Sequence, residues 1–278
     1  MPTLRPPSHI SFLYNTGTIL HTSDGKNVEV WELRHNSNTT VLSQWAKHFR
    51  EHYCKDSEID SLRSGTGYSR REYLDKIKFP DISQAPGPST RAGDFGEILV
   101  TDFLEFIGDY EVLSRNTRYN YKTNRNESTK GSDVIGFHFI NYPIDNPQDE
   151  LAVFEAKAKF TGSTNDAEQR LQEAIKDSAK DRFRISESLN AMKQRFIERK
   201  MDNEKLKVER FQNEADHPYK TINGAVALVC NNNYSTAIAT KASSNNHPNK
   251  VNLRLIIIKG NDMMNLVHEL YRRAANEA

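Results

Sequence analysis

The chain has 278 residues, 36% of them hydrophobic and 27% charged, and its formal net charge is +1. This length allows one large domain or two smaller ones, and the near-neutral charge excludes a global positive field, so any nucleic-acid-binding surface must be local. The two cysteines, Cys54 and Cys230, exclude a disulfide framework, and without a signal peptide or a run of about 18 apolar residues we expect a cytoplasmic protein with no membrane span.

Residues 1–80 are predicted to form an N-terminal α+β accessory region that contacts a partner. Short strands are indicated between residues 10 and 35, because residues 28–33 alternate between apolar and polar side chains. Residues 39–53 and 68–77 have the composition of helices. Three prolines and a glycine then follow within residues 80–88, and they interrupt both helices and central strands. We therefore place a linker at residues 81–90.

After the linker, the pattern predicts an α/β fold, in which a sheet is covered by helices on both faces. Ser89 or Thr90 is expected to cap a helix that ends at Ile107. Apolar runs at residues 133–140 and 151–158, joined by a turn-rich segment, predict a hairpin. The other predicted elements are a short strand at 111–113, two or three charged helices over 166–211, strands at 222–230 and 251–258, a mobile loop at 231–249 and a helix over 262–275.

Glu155 and Lys157 are the most informative residues of the chain. Residues i and i+2 of a strand share a face, so these two side chains project together from the apolar run at 151–158. A carboxylate and an ammonium group on a buried face are costly unless they pair or bind a ligand. The predicted hairpin brings Asp133 near Glu155, and oxygen ligands of this kind suit a magnesium-assisted phosphodiester hydrolase. The alternative is a surface hairpin with an ordinary Glu–Lys ion pair.

Glu97 lies on the predicted helix that follows the linker. It shares a helix face with Gly93 and Thr101, and these small neighbours would let that face approach the sheet closely. We expect Glu97 to add a further carboxylate to the site, with Asp94 as the rival candidate. The alternative is a solvated helix glutamate.

These motifs together resemble the PD-(D/E)XK nuclease superfamily. The matching segments are Gly96-Glu97, Gly131-Ser132-Asp133 and Glu155-Ala156-Lys157. The helix after the last motif lacks a Gln-x-x-x-Tyr match, so a RecB-like branch is not supported. Over most of its length the chain is most similar to the HamA family, the nuclease subunits of the Hachiman antiphage defence system.

The resemblance implies a restriction-endonuclease-like core over residues 91–278, a central mixed sheet flanked by helices, that degrades DNA with little sequence specificity. It implies Mg²⁺ or Mn²⁺ bound by Asp133, Glu155 and Glu97, with Lys157 orienting the attacking water. It also implies a helicase partner of the HamB type that restrains the nuclease until infection or DNA damage releases it. A catalytically silent nucleic-acid-binding or scaffold subunit with the same fold is the alternative.

Several basic and aromatic residues near these motifs are candidates for contacts with DNA. Basic side chains can follow a phosphate backbone without reading its sequence, although a mixed charge run is also typical of a solvated helix face. The basic candidates are Lys130, Lys159, Arg182 and Arg184. Further candidates precede Asp133 in the chain: Tyr119, Tyr121, Lys122 and Arg125.

A second pattern offers a different chemistry. His48, Glu51 and His52 match H-x-x-E-H, the inverted zinc-protease motif. The motif lies on a predicted helix, where residues four apart share a face, and the alternative is an amphipathic helix with surface histidines. The surrounding region is short for a protease domain and shows no third ligand, so a zinc peptidase ranks below the nuclease.

Overall fold

The computed structural model describes residues 6–114, 119–128 and 131–278, with the backbone alone for residues 181–183. Within these ranges, six strands form one sheet in the order β1-β2-β6-β5-β4-β3. The strands are β1 (Leu13–His21), β2 (Asn27–Leu33), β3 (Val134–His138), β4 (Glu150–Lys159), β5 (Lys220–Cys230) and β6 (Leu253–Gly260). The four central strands are parallel and both edge strands are antiparallel to their neighbours. The predicted α/β class with a mixed sheet is confirmed.

Helices cover both faces of this sheet. They are α1 (Thr39–Tyr53), α2 (Ile59–Arg63), α3 (Arg70–Tyr73), α4 (Gly87–Phe106), α5 (Thr164–Glu168), α6 (Arg170–Ser178), α7 (Asp181–Glu198), α8 (Asp202–Glu209), α9 (Ala237–Thr240) and α10 (Met263–Asn276). Short 3-10 turns lie at Ser8–Phe12 and Asn231–Asn233, and a π-helical turn lies at Leu74–Lys78. Among the residues described, no helix is both long and apolar enough to cross a membrane.

The alternation of side chains along the central strands explains the three layers. On β5, Val226 and Leu228 belong to the core cluster under α1, α4 and α10. Ala225 and Ala227 belong to the opposite cluster, which α6 and α9 cover. Because successive side chains of a strand point to opposite faces, an apolar run such as 224–230 is buried on both sides. Farther along the sheet, α7 packs on the same side as α6, against Ile135 and Val153.

The segment before the predicted linker is part of this sheet. Residues Val28 to Leu33 of β2 pair in parallel with β6, and Phe49 of α1 packs edge-on against Tyr271 of α10 at 4.8 Å. Strands from both sides of residues 81–90 therefore share one hydrogen-bonded sheet.

The start of α4 differs from the prediction. The helix begins at Gly87, and neither Ser89 nor Thr90 caps it. The Ser89 hydroxyl donates to the Pro86 carbonyl oxygen at 2.6 Å, and the Thr90 hydroxyl donates to the Asn126 carbonyl oxygen at 2.8 Å. Gly87 packs so tightly that an added Cβ would lie 2.2 Å from the Asp81 carbonyl oxygen. Four residues of the predicted linker are thus the first turn of a helix.

Three other expectations need correction. Residues 111–113 form an isolated bridge between Glu111 and Phe137 rather than a strand. The charged region is divided into four helices rather than two or three, and one break falls at Lys200, whose φ is 56°. The predicted mobile loop at 231–249 contains α9, whose Ile238 and Ala239 are fully buried. Apolar burial, which a local composition rich in Asn and Ser does not indicate, orders this segment.

Candidate functional site

The β3–β4 hairpin brings Asp133 to Glu155. Val134, the first residue of β3, pairs with Phe154, so Asp133 lies opposite the part of β4 that carries Glu155. The Oδ2 atom of Asp133 accepts a hydrogen bond from the backbone N–H of Ala156 at 3.1 Å. This contact ties the Asp133 carboxylate to the strand that supplies the other two motif residues.

Glu155 is 4% exposed and presents its two carboxylate oxygens differently. Oε1 accepts a hydrogen bond from Nζ of Lys157 at 2.6 Å. Oε2 is buried and, among the residues described, has no hydrogen-bond partner. Leaving a buried carboxylate oxygen without a donor costs free energy, so this atom marks a position where a ligand would bind favourably.

Asp177 of α6 completes the charge cluster, and the sequence alone did not indicate it. Its Oδ2 lies 2.7 Å from Nζ of Lys157, which is 27% exposed. Burial by itself would lower the pKa of the Lys157 ammonium group, but the charge of Glu155 and hydrogen bonds to both carboxylates raise it above its usual value. Burial would raise the pKa of Asp177, yet its hydrogen bonds with Lys157 and Lys180 hold it below the usual range. Lys157 is therefore a fixed cation between two anions.

A cleft of about 250 Å³ opens beside Asp133, between the segment before β3 and helix α7. Gly131 has a φ of 97°, and an added Cβ there would lie 2.9 Å from Oγ of Ser188. The backbone N–H of Ser132 donates to the same Oγ at 3.2 Å. The Gly-Ser turn of the motif therefore sets the distance between Asp133 and α7, and Arg195 of α7 also lines the cleft.

Arg195 of α7 and Arg199, the residue that follows this helix, both lie near the ring of Tyr121. Their guanidinium carbons lie 5.8 and 5.5 Å from its centroid, and the ring is 47% exposed. The other three candidates of this segment are engaged inside the protein. Their partners are Glu97 for Tyr119, Asp94 for Lys122 and Asp81 for Arg125. Of these four side chains, that of Tyr121 is the most exposed.

The four basic residues predicted to contact DNA differ in their positions and in how much of them the structure describes. Lys159 follows Lys157 on the same face of β4, with its Nζ 3.8 Å from an oxygen of Asp166. Arg184 lies half-buried on α7. Lys130 and the side chain of Arg182 lie outside the described residues.

Glu97 lies away from this cluster. The residue before it on α4, Gly96, packs against Ala158, which points to the face opposite that of Glu155 and Lys157. Glu97 itself is buried and accepts a hydrogen bond from the Tyr119 hydroxyl at 2.7 Å.

Within the described ranges, one group of three potential metal ligands has its ligand atoms within 4.8 Å of one another: His9, His48 and Asp102. The carboxylates of Glu97, Asp133 and Glu155 do not converge to that distance. The structure thus brings together Asp133, Glu155 and Lys157 and leaves Glu97 in a separate buried cluster.

Asp94, the rival of Glu97, lies in that separate cluster. Its Oδ2 accepts hydrogen bonds from the Tyr53 hydroxyl at 2.6 Å and from Nζ of Lys122 at 2.5 Å. Burial raises the pKa of Asp94 to about 6. The negative charge of Glu97 also raises this pKa, while the positive charge of Lys122 lowers it. Asp94 is engaged in packing α1 and the segment at 119–128 onto α4.

We expect Asp94→Asn to change how stability depends on pH. A carboxyl group whose pKa is raised in the folded state stabilises that state fully below its unfolded pKa, near 4, and loses this effect as the pH rises through 6. The free energy of unfolding of the wild type should therefore fall relative to Asp94→Asn between about pH 4 and pH 6. Urea unfolding of both proteins across this range measures the difference, with Asp216→Asn at an exposed position as the control. A difference that stays constant with pH would contradict the expectation.

The inverted zinc-protease motif does not assemble as a site. His48 directs its Nε2 to Oδ1 of Asp102 at 2.8 Å, and Glu51 accepts a hydrogen bond from the backbone N–H of Asp56 at 3.0 Å. His48 and His52 contact each other edge-to-face, with ring centroids 5.3 Å apart. Glu51, which would be the general base, is thus used to close the turn after α1.

The donor set around Glu155 fits a hard divalent cation. Mg²⁺ prefers one or two carboxylates and retains several waters, and Asp133 and Glu155 supply two carboxylates on neighbouring strands. The unpartnered Oε2 of Glu155 is an oxygen that such an ion would satisfy.

A comparison with protein families shows which family the chain resembles over most of its length. The family model of HamA matches residues 8–274, which is nearly the whole chain. The match includes the strands β1 and β2 as well as the motifs at Asp133 and Glu155. A comparison with curated proteins gave no match.

Proposed function

The chain belongs to the HamA family, and on this premise we propose that it is the metal-dependent DNA nuclease of a Hachiman antiphage defence system. Membership of the family implies a role in antiphage defence. The observation that carries the nuclease proposal is the arrangement of Glu155. One carboxylate oxygen binds Lys157, the other has no hydrogen-bond partner among the described residues, and the register of β3 and β4 places Asp133 opposite Glu155.

In this proposal, Mg²⁺ or Mn²⁺ would be held by Asp133, which directly precedes β3, and by Glu155, which lies in the middle of the adjacent strand β4. The ion would supply polarisation of the scissile phosphate and a more acidic bound water. The backbone N–H of Ala156 fixes the Asp133 carboxylate, so the position of this ligand is set before any ion arrives. Such preorganisation avoids reorganisation at the moment of reaction.

Lys157 acts as a positioned cation in this mechanism. Its ammonium group is held between Glu155 and Asp177, so it donates hydrogen bonds and does not accept a proton. From this position it orients the attacking water and stabilises the negative charge that develops on the phosphate oxygens. Asp177 is a positioning residue, because it contacts Lys157 and holds the ammonium group in place.

The DNA would approach along α7. Arg195 lines the cleft beside Asp133, and Arg195 and Arg199 both lie near the exposed ring of Tyr121. An exposed aromatic ring close to guanidinium groups suits stacking with unpaired bases, which is tolerant of sequence. The proposed basic contacts are Lys130, Lys159, Arg182 and Arg184, which would add sequence-independent attraction to phosphates.

A helicase subunit of the HamB type is the proposed partner. A nuclease with little sequence specificity would degrade the DNA of its own host, so some restraint is required. The family resemblance, rather than any contact in the chain, supports the choice of a helicase.

We expect Mg²⁺ to raise the melting temperature of the wild type, because a ligand that binds only the native state stabilises it. In Asp133→Asn this metal-induced rise should shrink, since one anionic ligand is lost. Without metal the variant should be at least as stable as the wild type, because a repelling negative charge is removed while the amide oxygen still accepts from Ala156. Differential scanning fluorimetry with and without Mg²⁺ measures both effects. A large loss of stability in the metal-free variant would show that Asp133 is structural.

The activity itself is tested by incubating the purified chain with linear, circular and single-stranded DNA in the presence of Mg²⁺ or Mn²⁺. Metal-dependent loss of DNA is the expected result. Intact DNA under all these conditions, with and without the partner helicase, would favour the catalytically silent subunit that has the same fold.

A further inference from the structure

We infer that His9, His48 and Asp102 form a second metal site, which binds one zinc ion and fastens the N-terminal segment to helix α4. The three residues come from separate parts of the chain: the 3-10 turn Ser8–Phe12, helix α1 and helix α4. Their ligand atoms lie within 4.8 Å of one another. An ion bound here would connect three segments that are far apart in the sequence.

The geometry suits an ion of zinc size. Nε2 of His9 lies 2.9 Å from Oδ2 of Asp102, and Nε2 of His48 lies 2.8 Å from Oδ1. Ligand atoms in a tetrahedral zinc site with bonds of about 2.0–2.2 Å are about 3.3 Å apart. Each nitrogen–oxygen distance would need to lengthen by only about half an ångström, and the ligand atoms, which lie within 4.8 Å of one another, would have to converge on the ion.

The chemistry of the three donors favours a transition metal over Mg²⁺. Two imidazole nitrogens and one carboxylate form a ligand set suited to zinc and its neighbours, whereas Mg²⁺ prefers oxygen donors. The ring of His9 is fixed by parallel stacking on Trp45 at 4.5 Å, so its nitrogen is already aimed at the site.

Burial of the site is consistent with a structural ion that retains one open position. The side chains of His9 and Asp102 are completely buried, while that of His48 is 16% exposed. The ion would enter from the side of His48, the partly exposed ligand, and a water could supply the fourth ligand there. Because Asp102 lies on α4, which covers the sheet face opposite to Glu155 and Lys157, this site is distinct from the proposed Mg²⁺ centre.

The test uses the untagged full chain, since an affinity tag of histidines would itself bind metal. We expect elemental analysis to find about one zinc per chain after removal of loosely bound ions, and zinc to raise the melting temperature of the demetallated protein. His48→Gln, at the most exposed of the three positions, should weaken zinc binding roughly ten-fold or more. His21→Gln, at an exposed position on β1, and Glu155→Gln, in the proposed nuclease centre, should both bind zinc as the wild type does.

X-ray absorption at the zinc edge identifies the ligands of the ion in the wild-type protein, so the test does not depend on a variant that folds. The expected spectrum of the wild type shows two imidazole ligands and oxygen. If the wild-type protein binds no zinc and its melting temperature does not change at saturating zinc, the three residues form only a hydrogen-bonded cluster and the inference is wrong. Unchanged affinity in His48→Gln, or loss of zinc in Glu155→Gln, would place the ion elsewhere and also overturn the inference. None of these results measures DNA cleavage, so the nuclease proposal is tested independently of the zinc site.

Discussion

Glu155→Gln is expected to lower the rate of DNA cleavage by a factor of about 100 or more while the protein stays folded. The amide oxygen of glutamine can still accept the hydrogen bond from Lys157, but the neutral side chain loses its affinity for a metal. Lys157→Met should cause a loss of similar size, because no cation then orients the water or stabilises the charge on the phosphate. Initial rates on linear DNA at saturating Mg²⁺ provide the measurement.

A matched pair of substitutions controls for the loss of an ion pair as such. Glu168 and Lys241 form a comparable hydrogen-bonded ion pair at a position outside the proposed site, so Glu168→Gln and Lys241→Met should cleave DNA within a few-fold of the wild-type rate. Lys157→Met leaves Glu155 and Asp177 without their shared cation and should also lower the melting temperature. Glu155→Gln is therefore the decisive variant, and full activity in it would remove the central claim of the nuclease proposal.

Deletion of residues 1–80 is expected to unfold the protein rather than release an independent nuclease domain. The deletion removes β2, which pairs along its length with the central strand β6. It also removes α1, whose buried aromatic residues, Trp45, Phe49 and Tyr53, pack against α4 and α10. Truncating one such residue costs about 3–5 kcal/mol, so losing all three costs about 9–15 kcal/mol, which is comparable to the whole 5–15 kcal/mol by which typical proteins are stable. Circular dichroism and gel filtration of the truncated chain measure the outcome.

Contacts with a helicase must therefore be tested by point substitutions. Tyr14 and Ile19 are about half exposed on the edge strand β1, so Tyr14→Ser and Ile19→Ser should leave the fold intact. Loss of co-purification in these variants would support the prediction that residues 1–80 carry partner contacts. A truncated chain that is folded, monomeric and still binds the helicase would contradict the expected unfolding.

Local patterns in the sequence were sufficient for the class of the fold and for the centre of the proposed site. The alternation of side chains in a strand places Glu155 and Lys157 on one face, and the turn-rich segment between two apolar runs predicts the antiparallel pairing of β3 with β4. Helix α1 also agrees with its predicted bounds of 39–53. These features depend on residues close together in the chain, so the sequence itself determines them.

Contacts between distant segments were decided only by the tertiary structure. Prolines at residues 80–88 suggested a linker, but strand pairing between β2 and β6 joins both sides of it in one sheet. No spacing rule connects Asp177 with Lys157, or His9 with Asp102, because helices α6 and α4 bring these residues together only when they pack on the sheet. Glu97 shows the same limit: its helix position was predicted, but the face of the sheet that α4 covers depends on the burial of apolar side chains from the whole chain.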